Sequence, residues 1–251
     1  LDVSDVEMFY HDGTRLIAKL TDFQGKPIVN ATIYFSINGV IYAKTTDANG
    51  TASMGLNLDS NVYPVTVTYN GSAFYSKISK NITVTINSSI IADDLVKMYQ
   101  NATRFYAKFI GSDGKVLANT QVRFNIHGVF YTKTTNNDGV ADLGIMLRPG
   151  TYILTAYNPV TGEQQGFNIT VKSLIVQNDL TKYYMNASKF QATIYDKNGS
   201  LAVNKNVTFN IHGVFYTRTT DENGVVSLGI SLRPGEYVIT TMYEGLDLGN
   251  T

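Results

Sequence analysis

The amino-acid sequence contains one segment three times, and this repetition constrains the fold more than any other feature. The copies read FSINGVIYAKTTDANG, FNIHGVFYTKTTNNDG and FNIHGVFYTRTTDENG, and they begin at Phe35, Phe124 and Phe209, at offsets of 89 and 85 residues. A period of this length suits a small β-sandwich and exceeds that of solenoid repeats. We therefore predict three domains in tandem, at residues 1–89, 90–174 and 175–251, joined by short apolar segments that should be stiff.

Each copy has the hydrophobic period of a β-strand. Ile33, Phe35 and Ile37 alternate with polar residues, and the later copies repeat the pattern, as expected for strands with one buried face. Asn38-Gly39 is a strong signal for a two-residue hairpin, and His-Gly takes its place in the other copies. No long segment shows the apolar stripe of a helix, so we predict an all-β chain with about seven strands per repeat.

The composition excludes several classes of function. The chain has 20 Lys and Arg against 20 Asp and Glu, and it contains neither Cys nor Trp. A net charge of zero argues against nucleic-acid binding, and the lack of Cys removes disulfides, thiolate nucleophiles and Cys-ligated metals. No apolar run is long enough for a membrane span. The sequence begins at Leu1 without an initiator Met, so we expect an internal segment of a longer protein.

No set of residues indicates an enzyme, a cofactor or a metal site. His127 and His212 occupy the hairpin position that holds Asn38 in the first copy, and His11 lies in another loop with no matching partner. We expect them to serve turn geometry. Asp5, Asp94 and Asp179 recur near the start of each repeat. These carboxylates either bond to a turn or contribute to calcium sites at the domain joints, and the sequence leaves both readings open.

Asparagine-linked glycosylation is the one modification that the sequence suggests. Ten Asn-x-Ser/Thr sequons occur, at Asn30, Asn49, Asn70, Asn81, Asn87, Asn101, Asn168, Asn186, Asn198 and Asn206. The alternative is that Asn, Thr and Gly are abundant because turns and exposed strand faces favour them.

The third repeat differs from the others at its end. The first two close with ISKNITVTI and GFNITVK, whereas the third reaches Gly249-Asn250-Thr251 where that strand would begin. We expect its last strand to be missing or supplied by another segment. Either the remainder of the strand lies outside these 251 residues, or a strand from a neighbouring subunit fills the open edge and the protein self-associates.

The segments GKPIVNATIYFSINGVIYAKTTDANGTA and LRPGTYILTAYN or LRPGEYVITTMY resemble the bacterial-type immunoglobulin-like repeats of the invasin/intimin kind. More narrowly, they are similar to tandem repeats of adhesin-like surface proteins of methanogenic archaea. The first copy departs from the pattern at Asp59-Ser60-Asn61, where Arg-Pro-Gly is absent. The resemblance implies three tandem immunoglobulin-like antiparallel β-sandwich domains, arranged as an elongated rod on the outside of a cell.

The expected function is that of a stalk or fibre segment that spaces or displays an adhesive region. The expected partner is a glycan or protein on the surface of another cell, of unknown identity, without nucleic acid and without a membrane-embedded segment here. Two alternatives stay open: the repeats bind a glycan or protein themselves, or they polymerise into a filament by donor-strand exchange. Outward aromatic residues that could form a sugar platform include Tyr34, Tyr106 and Tyr157.

Overall fold

Strands account for all of the regular structure. The structure, a computed structural model that describes residues 1–251, contains 22 β-strands and no helix. The predicted all-β class is confirmed. The strands of the first repeat are β1 (Val6–Phe9), β2 (Arg15–Lys19), β3 (Thr32–Ile37), β4 (Val40–Thr45), β5 (Thr51–Gly55), β6 (Asn61–Tyr69) and β7 (Ile78–Asn87).

The same succession recurs in the rest of the chain. The strands of the second repeat are β8 (Ile90–Ile91), β9 (Leu95–Met98), β10 (Arg104–Phe109), β11 (Gln121–Ile126), β12 (Val129–Thr134), β13 (Val140–Gly144), β14 (Gly150–Tyr157) and β15 (Gln164–Lys172). Those of the third are β16 (Ile175–Gln177), β17 (Lys189–Ile194), β18 (Asn206–Ile211), β19 (Val214–Thr219), β20 (Val225–Gly229), β21 (Ile239–Tyr243) and β22 (Leu246–Asn250).

Each repeat contributes two sheets. In the first repeat, the order β1-β7-β6-β3-β4 forms one sheet and β2-β5 the other. The second repeat has β12-β11-β14-β15-β9 and β13-β10-β8, and the third has β19-β18-β21-β22 and β16-β17-β20. In the first repeat β2–β5, β3–β4, β3–β6 and β6–β7 are antiparallel pairs. In contrast, β1 runs parallel to β7, and β9 runs parallel to β15.

The alternation read from the sequence corresponds to the observed core. Ile33, Phe35 and Ile37 are buried on β3, while Thr32, Tyr34 and Ser36 face outward and are half-buried. Apolar side chains of both sheets meet in one cluster in the first repeat, and another cluster fills the third. Two sheets that bury one face each against a shared core form a β-sandwich, as the repeats predicted.

The chain folds into two compact units. The first consists of Leu1–Asp93, Tyr106–Asp142 and Thr155–Gly166, and the second of Asp94–Phe105, Leu143–Leu154 and Phe167–Thr251. The domain boundaries expected from the repeats stay a prediction.

Backbone geometry explains the recurring dipeptide between two strands. Asn38, His127 and His212 have φ values of 49°, 52° and 53°, and the glycine that follows each also has a positive φ. Two consecutive positive φ values define the type I′ turn that suits the twist of a hairpin. The two histidines therefore occupy turn positions, as the sequence indicated.

The Thr-Thr-Asp segment, which reads Thr-Thr-Asn in the second copy, closes a loop onto the sheet. Thr46 is buried, and its hydroxyl accepts the Ala31 N–H at 2.9 Å and donates to the Ile28 carbonyl at 2.7 Å. Thr135 and Thr220 are buried in the same way. The next residue, Asp47, accepts the N–H groups of Asn49 and Thr51 at 2.9 Å each. The segment is therefore a turn held by side-chain hydrogen bonds.

The edge strand that we expected to be missing from the third repeat is present in part. β22 pairs with β21 over its whole length, from Tyr243↔Leu246 to Ile239↔Asn250. The hairpin is closed by Glu244-Gly245, with φ values of 48° and 74°. Eight residues separate β6 from β7, whereas two separate β21 from β22, so the strand begins earlier than the repeat alignment indicates.

Candidate functional site

The joints between successive repeats are the candidate functional sites of a chain built from repeats. Only Ser88 and Ser89 separate β7 from β8, and only Ser173 and Leu174 separate β15 from β16. The hydroxyl of Ser88 donates to the Ile90 carbonyl at 2.8 Å and accepts the Ile90 N–H at 3.0 Å. A linker this short, tied to itself, has little conformational freedom.

Glu163 is the centre of the first joint. Its side chain is 3% exposed, and its carboxylate accepts three hydrogen bonds. Ser89 donates through its backbone N–H at 2.5 Å and its hydroxyl at 2.7 Å, both to Oε2. The hydroxyl of Ser60 donates to Oε1 at 2.6 Å. Because Ser60 belongs to the first repeat and Glu163 to the second, one carboxylate connects a loop of each repeat to the linker.

Asn158 holds the other side of the same linker. It is buried, and its side-chain amide donates to the carbonyls of Ser89 at 3.2 Å and Ile110 at 2.8 Å. Its own oxygen accepts the N–H of Val160 at 3.0 Å, which fixes the loop that carries Glu163. The polar groups around Ser89 are therefore paired, as a buried polar network requires.

An aromatic contact completes the first joint. A Cβ placed on Gly114 would lie 2.7 Å from Cε2 of Phe9, so the ring lies directly over the glycine backbone. The neighbouring Tyr10 donates its N–H to the Asn87 carbonyl at 3.0 Å. Burial raises the pKa of the Tyr10 phenol, and the negative charges of Asp59 and Glu163 raise it further.

The second joint uses the same positions with different side chains. Tyr99 corresponds to Tyr10 and donates its N–H to the Lys172 carbonyl at 2.9 Å. Met98 corresponds to Phe9, and its Cγ would lie 3.7 Å from a Cβ on Gly199. Two amides cross from the second repeat to the third: Gln100 donates to the Glu244 carbonyl at 3.0 Å and Asn101 to that of Lys197 at 2.7 Å.

The recurring aspartates connect the first segment of each repeat to its last strand. Asp5 accepts the N–H of Thr83 at 2.8 Å, and Asp179 accepts that of Thr251 at 3.0 Å. Asp94 accepts both the backbone N–H and the side-chain amide of Asn168, at 2.7 and 2.8 Å. These two bonds, the side-chain one first, lower the pKa of Asp94. No group of three or more His, Cys, Asp or Glu side chains is gathered where it could hold a metal ion.

One buried lysine, Lys97, is a residue that the sequence pattern did not reveal. Lys97 is 6% exposed, and its Nζ donates to the carbonyls of Ile145 at 2.8 Å and Thr103 at 3.1 Å. Burial lowers its pKa, and the nearby Arg104 lowers it further. Lys182 makes the corresponding bonds to Ile230 and Ser188. The first repeat has Met8 at this position, and an aligned Met-Lys-Lys column inside a core pattern is the signal that could have revealed it.

The remaining candidate residues are dispersed over the repeats. Eight of the ten sequon asparagines are exposed, while Asn87 and Asn101 are half-buried and donate hydrogen bonds through their side chains. Whether any sequon carries a glycan stays a prediction. Tyr34 lies in the first repeat, and Tyr106 and Tyr157 lie on β10 and β14, which belong to different sheets. The structure does not bring these three rings to one surface.

No helix in the structure has the length and apolar character needed to cross a membrane. A scan against protein-family models and a search of curated proteins both find no match for this chain.

Solved structures resemble the chain at low identity. The chain aligns over 99% of its length with SGBP-B of the Bacteroides ovatus mixed-linkage glucan utilization locus, in complex with a mixed-linkage heptasaccharide, at 15% identity and a TM-score of 0.27. It spans 63% of that protein's chain. An adhesin of an Antarctic bacterium that binds ice aligns over 97% of the chain, and 69% of its own, at 16% identity and a TM-score of 0.26.

A three-domain segment of titin aligns over 100% of the chain and 95% of its own, at 13% identity and a TM-score of 0.27. These TM-scores are low, and the fold assigned to the chain therefore rests on its own strands and contacts.

Proposed function

We propose that the chain is a stalk or fibre segment of an extracellular, cell-surface adhesin-like protein, and that it spaces or displays an adhesive region. The domains at 1–89, 90–174 and 175–251 act as successive spacers in this proposal, and the joints between them hold direction. A segment that holds an adhesive region at a distance depends on joints that resist bending more than on a pocket for a ligand.

The observation that carries this proposal is the Glu163 network. Taking a carboxylate out of water costs several kcal/mol unless its hydrogen bonds are made. At the first joint the groups that make these bonds come from the linker and from both repeats: Ser60, Ser89 and Glu163 itself. Bending the joint would break bonds to a buried charge, and each such bond contributes about 1.5–3 kcal/mol. The joint is therefore expected to have one preferred geometry.

Spin-label distance measurements test this stiffness. The chain has no Cys, so labels at Lys44→Cys and Asp138→Cys, both exposed positions, report on the first joint alone. We expect a narrow distance distribution in the otherwise unchanged chain and a broad one after Glu163→Ala. Glu7→Gln is the matched control, because Glu7 is an exposed acid that bonds to Asn87 at the surface. A broad distribution before any joint substitution would contradict the proposal.

A glycan array separates the spacer from the alternative in which the repeats recognise sugars themselves. The fluorescently labelled 251-residue chain is expected to give no saturable signal. Saturable binding that is lost on substitution of Tyr106 or Tyr157 would favour the alternative.

A further inference from the structure

Each repeat has one edge strand that is exposed along nearly its whole length. β4, β12 and β19 each lie at the end of their sheet, and at least five of the six residues on each strand are exposed. These strands nevertheless carry large apolar side chains: Ile41 is 66% exposed, Phe130 53% and Phe215 63%. A long apolar edge without a neighbouring strand is a template for pairing with another strand.

The hairpins that carry these edges determine which backbone groups face outward. Val40 pairs with Ile37 across the two-residue turn, and the residues of an antiparallel strand direct their N–H and C=O groups alternately towards and away from their partner. The N–H of Thr46 bonds back to the Ala31 carbonyl at 2.8 Å, so the even-numbered residues of β4 face β3. The backbone groups of residues 41, 43 and 45 therefore point away from the sheet. The same register in the other hairpins directs outward those of residues 130, 132, 134, 215, 217 and 219.

The exposed edge of the first repeat is complementary to itself. Antiparallel pairing of two copies about a two-fold axis at Ala43 sets Tyr42 of one copy opposite Lys44 of the other. Ile41 then lies opposite Thr45, and the three residues whose backbone groups face outward form the hydrogen-bonded pairs. A lysine on an edge usually disfavours pairing. In this register the positive charge meets an aromatic ring instead of its own copy, which is a favourable contact.

The third repeat keeps this complementarity although its residues differ. Arg218 takes the place of the lysine, and its guanidinium lies over the Tyr216 ring, 5.8 Å from the centroid. The guanidinium also donates to the Thr217 carbonyl at 2.8 Å, and that oxygen keeps a second lone pair for a strand. Phe215 would lie opposite Thr219 of a second copy, and pairs of an aromatic and a β-branched residue stabilise sheets. The second repeat has the same pattern, with Lys in place of Arg.

A second copy of this chain is the partner that these edges fit. The three strands read VIYAKT, VFYTKT and VFYTRT, so an edge of one copy meets a matching edge on any other. Each strand has a single charge, which the register places opposite a tyrosine. The whole chain has a net charge of zero, so long-range repulsion does not keep copies apart.

We propose that β4, β12 and β19 are self-association edges, through which copies of the chain join by antiparallel pairing of an edge of one copy with an edge of another. Backbone hydrogen bonds between the edges provide the attraction, and the contact between Tyr and Lys or Arg sets the register. This surface does not depend on the proposed spacer role.

Sedimentation of the full chain over a concentration series tests the proposal. We expect the weight-average mass to rise above that of one chain as the concentration approaches about 1 mM, the range of weak contacts. The triple variant Ala43→Pro, Thr132→Pro and Thr217→Pro removes one outward N–H from each edge and leaves the bonds within each hairpin in place. Its dissociation constant should be at least about tenfold higher. The matched control is Ala43→Ser, Thr132→Ser and Thr217→Ser, which keeps every N–H and should associate like the unaltered chain.

Amide hydrogen exchange of the unaltered chain locates the contact without any variant. Raising the concentration should slow exchange at Ala43, Thr132 and Thr217, with a smaller change at Tyr42, whose N–H already faces β3. If the proline variant does not fold, this measurement decides. A chain that stays monomeric up to about 1 mM, association that the proline variant retains in full, or slower exchange confined to other residues would overturn the proposal.

Discussion

Substitution of Gly114 by Ala adds one carbon atom at the first joint, and the same substitution at Gly25 is its control. Gly114 and Gly25 occupy the same turn in the second and first repeats, with φ values of 75° and 82°. A Cβ on Gly25 would meet nothing within 4 Å, whereas a Cβ on Gly114 would lie 2.7 Å from Cε2 of Phe9. The two substitutions to Ala therefore share the backbone cost and differ in the contact across the joint.

The expected magnitudes follow from these two terms. An Ala at positive φ costs about 1–2 kcal/mol, which applies to both sites. The contact with Phe9 adds about 1–3 kcal/mol, as overpacking does elsewhere, because the ring must leave its position over the turn. We expect Gly25→Ala to lower the local free energy of unfolding by about 1–2 kcal/mol and Gly114→Ala by about 2–5 kcal/mol.

Hydrogen exchange on the full chain measures both values in the repeat that carries each substitution. A double-mutant cycle then isolates the contact. In a Phe9→Ala background the ring is absent, and the cost of Gly114→Ala should fall to that of Gly25→Ala. Equal costs for the two glycines in the unaltered chain, or an excess at Gly114 that survives removal of the ring, would refute the inference that Phe9 packs on this turn to set the joint.

Three further substitutions test contacts outside the first joint. Thr220→Val should lower the free energy of unfolding by about 1–2 kcal/mol, because the buried hydroxyl accepts the Lys205 N–H and donates to the Ala202 carbonyl. Hydrogen exchange in the third repeat measures this change. The control Thr219→Val, at an exposed position, should change the same free energy by less than about 0.5 kcal/mol. Lys97→Met should remove a pH dependence of stability, because burial lowers the pKa of Lys97 in the folded state. The unaltered chain should therefore gain stability relative to the variant as pH rises from that lowered pKa towards about 10.4. Thermal midpoints of the two chains that stay equally far apart across this window would contradict the prediction. Asp94→Asn should lower the stability at neutral pH and have little effect in acid. The hydrogen bonds from Asn168 lower the pKa of Asp94, so their contribution to stability is lost as pH falls through that lowered pKa. A difference between the thermal midpoints of the variant and the unaltered chain that persists in acid would count against this prediction.

The core and the turns could be predicted because their signals are local. Alternation at Ile33, Phe35 and Ile37 requires only that one face of a strand be buried, and Asn38-Gly39 requires only that two residues adopt positive φ. The alternation occurs in all three copies, and a two-residue turn ending in Gly follows it each time, so a chance pattern in one copy would not be repeated in the others. The two-layered sandwich followed from them.

The joint chemistry could not be predicted because it depends on which loops meet. Glu163 lies in the turn TGEQQ, which has no counterpart in the other repeats, and Ser60 lies in the loop where the first repeat departs from Arg-Pro-Gly. The sequence shows two irregular loops that are about a hundred residues apart. Their hydrogen bond at 2.6 Å depends on how the fold brings these two loops together, and no local pattern in either loop encodes that.

The end of the third repeat shows how a small change in a loop misleads an alignment. The offset of 85 residues places Thr251 opposite Gly166, the third residue of β15, which suggests that the strand has barely begun. The type I′ turn at Glu244-Gly245 removes most of the loop and brings Leu246 directly onto β21. Residues 246–250 are therefore paired with β21 along the whole length of that strand.

A comparison of the two joints shows which features come from the repeat and which are specific to one copy. Three features recur at both joints: a two-residue linker, a tyrosine N–H bond to the last residue of the strand before the linker, and a glycine, at 114 or 199. They therefore belong to the repeat and set the position of the joint. The polar bonds differ: a buried carboxylate holds the first joint, and two solvent-exposed amide-to-carbonyl bonds, from Gln100 and Asn101, hold the second. Because water competes more strongly for exposed bonds than for buried ones, the second joint should bend more readily than the first. We therefore expect the stiffness of each joint to depend on its own loops and to differ between joints that share the same repeat.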